Sequence, residues 1–388
     1  MPGIMGSDLD VRLLGARNGP CSIRMSHFSL WPPFNPEIVT NPACFKYLLQ
    51  PVPCTQSGRP ALCSNPGVTM WVSPGGDDGT QAFAFKQGGY NRLAEFLVRE
   101  YGYSLGKDLF AAPYDWRLSL EALDDSGQYD AIAKRISAAV LRCDKKAIII
   151  GHSMGTLVAL GLLQSPRFEA WREQNVLGYV ALAPPFGGST YAIANKLGGN
   201  RINLLQSLGD LLQPVLNEIM YHGSRGMPSM LMMMPYAGIW GKEHVLVSTP
   251  QRNYTIADLA SLFTAIGDTQ SAELYGNAHD LSKLVALGPV PGVKTYCIYG
   301  TGIPTVESWS YRSIVANRPA APGTAVPALV GQGDGVVNLE SMQLCKQLTS
   351  ASHVYEIPAA VNHGNVVWHP SSLAALRQVL DDALGLGR

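Results

Sequence analysis

Five residues, Gly151-His152-Ser153-Met154-Gly155, constrain this chain more than any other stretch. An apolar, β-branched run, Ala147-Ile148-Ile149-Ile150, leads into them, and a helix-like stretch from Thr156 to Leu163 leads out. Strand, sharp turn and helix in that order are the context of a nucleophile elbow. Such a turn forces the serine into a strained backbone conformation, and Cβ atoms at the flanking positions would collide with the following helix, so both are glycine. The serine hydroxyl is then exposed at the top of a sheet, above a helix N-terminus. The bare pentapeptide is a weak pattern in a chain rich in Gly and Ser; the flanking strand and helix give it weight.

The rest of the chain fits a sheet that could carry such an elbow. Val68 to Val72, Tyr179 to Leu182, Val293 to Tyr299 and His353 to Ile357 read as strands. Tyr90 to Tyr101, with Leu93, Phe96 and Leu97 on one face, and Tyr129 to Arg142, with Ile132, Ile136 and Val140 four apart, read as amphipathic helices. Pro370 to Leu384 reads as a closing helix with proline at its start, where the missing N–H costs nothing. Strands alternating with helices predict a mostly parallel α/β sheet. Residues 190–290 are mostly helical and loop-like and read as a cap insertion over that sheet. Ser22 to Ala43 is irregular and Pro-rich, with exposed-looking Phe28, Leu30, Trp31 and Phe34. The length, 388 residues, suits one elaborated domain, 1–388.

Composition excludes several classes. The 29 basic and 29 acidic residues balance, which leaves no nucleic-acid footprint. No apolar run reaches the roughly 18–20 residues of a membrane span, and the N-terminus lacks a basic-then-apolar signal pattern. Seven cysteines, with no CxxC and no tight Cys/His cluster, argue against a zinc site, and no metal or other cofactor is implied. They fit either buried thiols in a cytosolic enzyme or three disulfides and one free thiol in an oxidising compartment. The sequon Asn253-Tyr254-Thr255 is compatible with the second.

A serine hydroxyl needs a base to take its proton, and after an elbow the acid and histidine follow in that order. Gly333-Asp334-Gly335 offers Asp334, and Asn362-His363-Gly364 offers His363, just beyond a strand and before the last helix. Among competitors, His353 reads as a packing residue and His369 as a cap-region residue, while Asp258, Asp268 and Asp280 read as solvent-exposed in the insertion. An oxyanion hole needs two backbone donors. Met154, after the nucleophile, supplies one. Ile4, in the Gly-rich opening turn Pro2-Gly3-Ile4-Met5-Gly6-Ser7, is the first choice for the second, and Gly76 the alternative.

That opening turn, together with Ala112-Pro113-Tyr114-Asp115-Trp116-Arg117, the elbow, Asn253-Tyr254-Thr255, Tyr299 to Thr305, Gly333 to Asn338 and His363 to Val367, resembles the lecithin:cholesterol acyltransferase family nearly end to end. This family includes lysosomal phospholipase A2 and phospholipid:diacylglycerol acyltransferases. The resemblance implies an α/β-hydrolase fold with a helical cap and a disulfide-tethered lid loop within a membrane-contacting region, 20–66. It implies a serine-dependent acyltransferase or phospholipase, acting at a phospholipid membrane or lipoprotein-like surface. The acyl chain would pass to an acceptor lipid or to water. It implies disulfides Cys21–Cys44 and Cys297–Cys345. Cys54 and Cys63 have no family counterpart and could form a local bridge, leaving Cys143 free. A secreted or endomembrane and lysosomal-lumen location follows. Phe28 and Trp31, if exposed on the lid, would meet lipid; core packing is the other reading. The Met230–Met234 cluster would line an acyl groove or fill a helical core.

Two departures stand out. The family's opening turn follows a β-strand, whereas here it stands at Met1, which leads to the expectation of a shortened chain or an incomplete gene model. The family's second early motif carries an aromatic where this chain has Gly76. Beside the lipid reading stand a soluble carboxylesterase on small esters, which would need no interface, and a catalytically dead lipid-binding protein, against which the complete Ser153, Asp334 and His363 set argues.

Overall fold

Strands β6 (Ala147–His152), β7 (Val176–Leu182), β10 (Lys294–Thr301) and β13 (Val354–Pro358) form a parallel sheet in the order β13-β10-β7-β6. The computed structural model describes the chain except residues 15–19, 22–26, 34–39, 57–58, 75–78, 80, 82–88, 200–212, 279–287, 322, 359–360 and 388. The two middle strands, VLGYVAL and KTYCIYGT, are buried along most of their length, the first apolar throughout and the second apolar at its centre, Tyr296 to Tyr299, as suits strands covered on both faces. The helix Met154–Gln164, buried from Met154 to Leu163, carries the chain from β6 back to β7. The helix Tyr90–Tyr101 buries Leu93, Phe96 and Leu97 and stops at Gly102 in the left-handed region. The closing helix is Pro370–Leu384; His369 caps it by accepting from the Ser371 amide. Among the described residues, no helix is long and apolar enough to cross a membrane.

Two more sheets join the expected strand Val68 to Val72 and strands that the sequence does not announce. β1 (Leu9–Leu13) lies between β2 (His27–Trp31) and β5 (Val68–Val72), antiparallel to both. β8 (Val245–Ser248) and β9 (Asn253–Thr255), both inside the 190–290 insertion, join β11 (Ile303–Ser310) and β12 (Val326–Gly333) in the order β12-β11-β8-β9. A hairpin, β3 (Val52–Gln56) and β4 (Arg59–Cys63), completes the strands among the described residues.

The most consequential correction concerns Phe28 and Trp31. Neither is an exposed lid tip: Phe28 is 6% and Trp31 4% exposed. His27-Phe28-Ser29-Leu30-Trp31 alternates as a strand does, so pairing with β1 turns Phe28 and Leu30 inward. The Trp31 ring packs edge-on against Trp116 at 5.5 Å, and its N–H donates to the Met5 carbonyl at 2.8 Å. Phe34 lies outside the described residues.

Cys21–Cys44, Cys54–Cys63 and Cys297–Cys345 are disulfides, and Cys143 is free. Met230, Met232, Met233 and Met234 are all buried among core side chains. Asp268 is a second correction. It is not solvated but buried, 3.0 Å from the equally buried Lys196 Nζ, which also donates to the Ser224 carbonyl and the Ser271 hydroxyl. A lysine inside an insertion helix needs such a partner, because an unpaired buried charge is costly. Asp258 instead closes a capping box with Thr255, and Asp280 lies outside the described residues.

Candidate active site

Ser153 sits between β6 and the helix that follows it with φ 53° and ψ −129°, a conformation that L side chains rarely adopt. The two elbow glycines permit it for different reasons. A Cβ on Gly151 would lie 2.8 Å from the Gly155 carbonyl oxygen and 2.9 Å from Thr156 Cα, inside the following helix. A Cβ on Gly155 would instead strike the start of the chain, 2.3 Å from the Pro2 oxygen and 2.5 Å from that of Met1. The opening segment therefore runs directly against the elbow. Its backbone pairs there: the Met1 nitrogen donates to the Ile150 carbonyl at 2.8 Å, and His152 N–H donates to the Met1 carbonyl at 3.1 Å.

The turn beyond it, Pro2 to Ser7, belongs to no helix or strand and includes Met5 at φ 61°. Side chains from distant segments hold it. Tyr114 O–H donates to the Pro2 carbonyl at 2.8 Å, the Tyr114 amide donates to Ser7 Oγ at 3.1 Å, and Trp116 Nε1–H donates to the Ser7 carbonyl at 2.9 Å. Trp31 takes Met5, and Tyr90 accepts from the Gly3 amide at 2.9 Å. The segment Pro113 to Arg117 is thus the buckle of the opening turn. Its own base is a buried ion pair, with Arg117 Nε and Nη2 on the two Asp115 oxygens at 2.9 and 2.6 Å and Nη1 on the Leu49 carbonyl. Trp31, Tyr90 and the individual roles of Tyr114 and Trp116 were not legible as site-building residues; the one available signal was that polar-tipped aromatics cluster in a chain segment without periodicity.

Asp334 and His363 reach Ser153 from two loops at the same end of the sheet. His363 Nε2 is 2.8 Å from Ser153 Oγ, and His363 Nδ1 is 2.8 Å from Asp334 Oδ2. Asp334 Oδ1 accepts from the Val336 and Val337 amides, which leaves Oδ2 for the histidine. The His363 amide donates to the Asp334 carbonyl at 3.0 Å, so the acid and the base are joined through main chain as well as side chain. All three are buried: Ser153 and His363 are 7% exposed, Asp334 1%. In this arrangement Nδ1–H donates to the carboxylate and bare Nε2 accepts the serine proton. Among the described residues, the amides of Met154 and Ile4 have no hydrogen-bond acceptor. Gly3, next to Ile4, comes close enough that its Cβ would be 3.0 Å from Ser153 Cβ. Gly76 lies outside the described residues. Of the competing histidines, His369 caps its helix and His353 packs against Tyr296.

A parallel sheet, a strained serine between strand and helix, and an acid and a histidine following in chain order define an α/β-hydrolase. One solved structure, titled "The crystal structure of Tle4-Tli4 complex", shares this fold with a TM-score of 0.55 over 100% of this chain and 98% of that one, at 15% identity. The sequence model of the family described as Lecithin:cholesterol acyltransferase matches residues 65–279 and 268–367. The bovine lysosomal phospholipase A and acyltransferase is 31% identical, over 89% of this chain and 81% of its own length. The mouse phosphatidylcholine-sterol acyltransferase is 28% identical, over 98% of this chain and 84% of its own length. The chain belongs to the lecithin:cholesterol acyltransferase family.

Proposed function

We propose that this chain is a serine-dependent lipid acyltransferase with phospholipase A activity, and that Ser153, Asp334 and His363 carry the reaction. The observation that carries the reading is the continuous hydrogen-bonded line from Asp334 through His363 to Ser153, at 2.8 Å in both links. Ser153 Oγ attacks the ester carbonyl of a phospholipid while His363 Nε2 takes its proton. The carbonyl oxygen becomes an oxyanion, held by the Met154 and Ile4 amides. Its collapse breaks the ester bond, and His363 returns the proton to the departing lysophospholipid oxygen. The acyl-Ser153 ester is then attacked by an alcohol, such as a sterol or diacylglycerol, or by water. His363 takes that proton in turn and gives it back to Ser153. Asp334 keeps the ring in the required tautomer and stabilises the imidazolium.

Phospholipid as acyl donor is supported by the names of the two relatives, one a phospholipase A and acyltransferase, the other a phosphatidylcholine-sterol acyltransferase. The insertion 190–290 acts as the cap: the Ser189 amide, after β7, donates to the Met233 carbonyl within it. If the region 20–66 meets a lipid surface, it does so through groups other than the buried Phe28 and Trp31. A secreted or lumenal location is supported by three disulfides and by an exposed Asn253 in the sequon.

Ser153→Ala tests the reading. It should lower acyl release from phosphatidylcholine vesicles by on the order of a millionfold and abolish covalent fluorophosphonate labelling, with the fold intact. Lipid mass spectrometry with and without a sterol, diacylglycerol or long-chain alcohol identifies the acceptor. Labelling of the variant at the wild-type rate would falsify the nucleophile assignment.

A further inference from the structure

The residue before the nucleophile plays no part in the chemistry above, yet it touches both halves of the machinery. His152 is 8% exposed. Its Nε2 lies 2.9 Å from the main-chain oxygen of His363, and its Nδ1 lies 2.6 Å from Tyr90 Oη. The polarity of each link is forced. A carbonyl only accepts, so Nε2 carries the proton. Burial, followed by the neighbouring His363, pushes the His152 pKa down to about 3, so the ring is neutral and Nδ1 is bare. Nδ1 therefore accepts from Tyr90 O–H, and the Tyr90 oxygen in turn accepts from the Gly3 amide. The three rings are also in contact, with centroids 5.6 Å apart for Tyr90 and His152 and 5.2 Å for His152 and His363.

We infer that His152 and Tyr90 are positioning residues that lock the opening turn to the main chain of the catalytic histidine, so that the Ile4 donor and the His363 base keep one spacing. The inference rests on the reading of Ser153, His363 and Ile4 given above. Gly3 directly precedes Ile4: its amide anchors the Pro2–Gly3 peptide on Tyr90, and its carbonyl, in the peptide that carries the Ile4 N–H, accepts from the Gly6 amide at 3.0 Å, so the donor is aimed from a residue held at both ends. At the other end, His363 is held on both sides of its backbone, its N–H by the Asp334 carbonyl and its C=O by His152. With Nε2 committed to that carbonyl, His152 cannot act as a second base for Ser153. Its contribution is geometric, and displacing catalytic groups by about 1 Å costs on the order of a hundredfold.

The test uses the full chain and a soluble p-nitrophenyl ester, which separates kcat from any effect at a lipid surface. Wild-type protein is first labelled with a fluorophosphonate and the modified peptide mapped. Labelling at Ser153 upholds the reaction on which the inference rests; failure there overturns that reaction and, with it, any positioning role. Tyr90→Phe and His152→Phe should each lower kcat about ten- to a hundredfold with KM within about twofold. The double variant should lose no more than about threefold beyond the worse single, because both changes cut one chain of bonds. His152→Gln, whose amide N–H can still reach the His363 carbonyl, should recover about tenfold over His152→Phe. Singles that keep kcat within twofold, a double whose losses multiply, or a Gln variant no better than Phe would each overturn the inference. Should the Phe variants not fold, the wild-type enzyme decides. In selectively 15N-histidine-labelled protein, one ring should stay neutral with its proton on Nε2 between about pH 5 and 8. A proton on Nδ1 of His152, or a cationic His152, overturns it.

Discussion

Two strained turns meet at Ser153, and they are held in different ways. The elbow, Gly151 to Gly155, is framed by its own neighbours in sequence: β6 on one side, a helix buried from Met154 to Leu163 on the other, and Gly151, which lets the two approach. The opening turn, Pro2 to Ser7, has no helix or strand of its own; it is gripped by Trp31, Tyr90, Tyr114 and Trp116, from three separate parts of the chain. A turn framed by regular structure needs few side chains, because the backbone ladders already fix its ends. A turn without that frame must satisfy its buried carbonyls and amides with polar side chains, and aromatic residues supply one polar group each, a donor from Trp31, Tyr114 and Trp116 and an acceptor from Tyr90, on a body large enough to fill the space around it. The elbow should therefore respond mainly to changes in backbone space, and the opening turn to the loss of single hydroxyl or indole groups far away in sequence.

That contrast can be broken at several points. Trp31→Ala removes both a buried ring and the donor on Met5, and should cost about 3–5 kcal/mol in chemical denaturation. Turnover of vesicle phospholipid and of a soluble ester should fall together. A loss confined to vesicles, with unchanged stability, would mean that the ring meets lipid after all. Gly155→Ala places a methyl against the backbone of Met1 and Pro2 while leaving the helix a good helix former. It should push the opening turn away and lower kcat about a hundred- to a thousandfold, the cost of one oxyanion donor. Retention of wild-type kcat would show that Ile4 is not that donor. Tyr114→Phe deletes only the hydroxyl on the Pro2 carbonyl. It should destabilise the protein by about 1–3 kcal/mol and lower kcat less than Gly155→Ala does. A larger kcat loss than that of the glycine variant would reverse the ranking of frame over clamp.

The same contrast explains what could be read from the sequence. The helices Tyr90–Tyr101 and Pro370–Leu384 were legible to the residue, because an apolar face every three to four positions and a terminal Gly or Pro are local signals. The central strands were found too, from their continuous apolar runs, with ends off by up to three residues. β1 and β2 were missed although Leu9-Asp10-Val11-Arg12-Leu13 and His27 to Trp31 both alternate, since five residues beside Gly and Pro also fit a loop. β8 and β9 are shorter still, and each is a strand through its partner, β8 beside β11 and β9 beside β8. Asp268 looked solvated because nothing near it in sequence announces Lys196, 72 positions away.

By itself, the sequence determined the elbow, the order of serine, acid and histidine, and membership of the family. Each is written in residue types at fixed short spacing or in a fixed succession of motifs, and backbone sterics act over that range. Only the tertiary structure decided which polar atoms meet. Gly3 finds Tyr90 across 87 positions, Tyr90 finds His152 across 62, and His152 finds the His363 carbonyl across 211. It also decided that Trp31 faces inward to hold a turn. A hydrogen bond is set by distances of about 3 Å and by the direction of a donor, and no spacing along a chain specifies that until the sheet has brought its loops to one end.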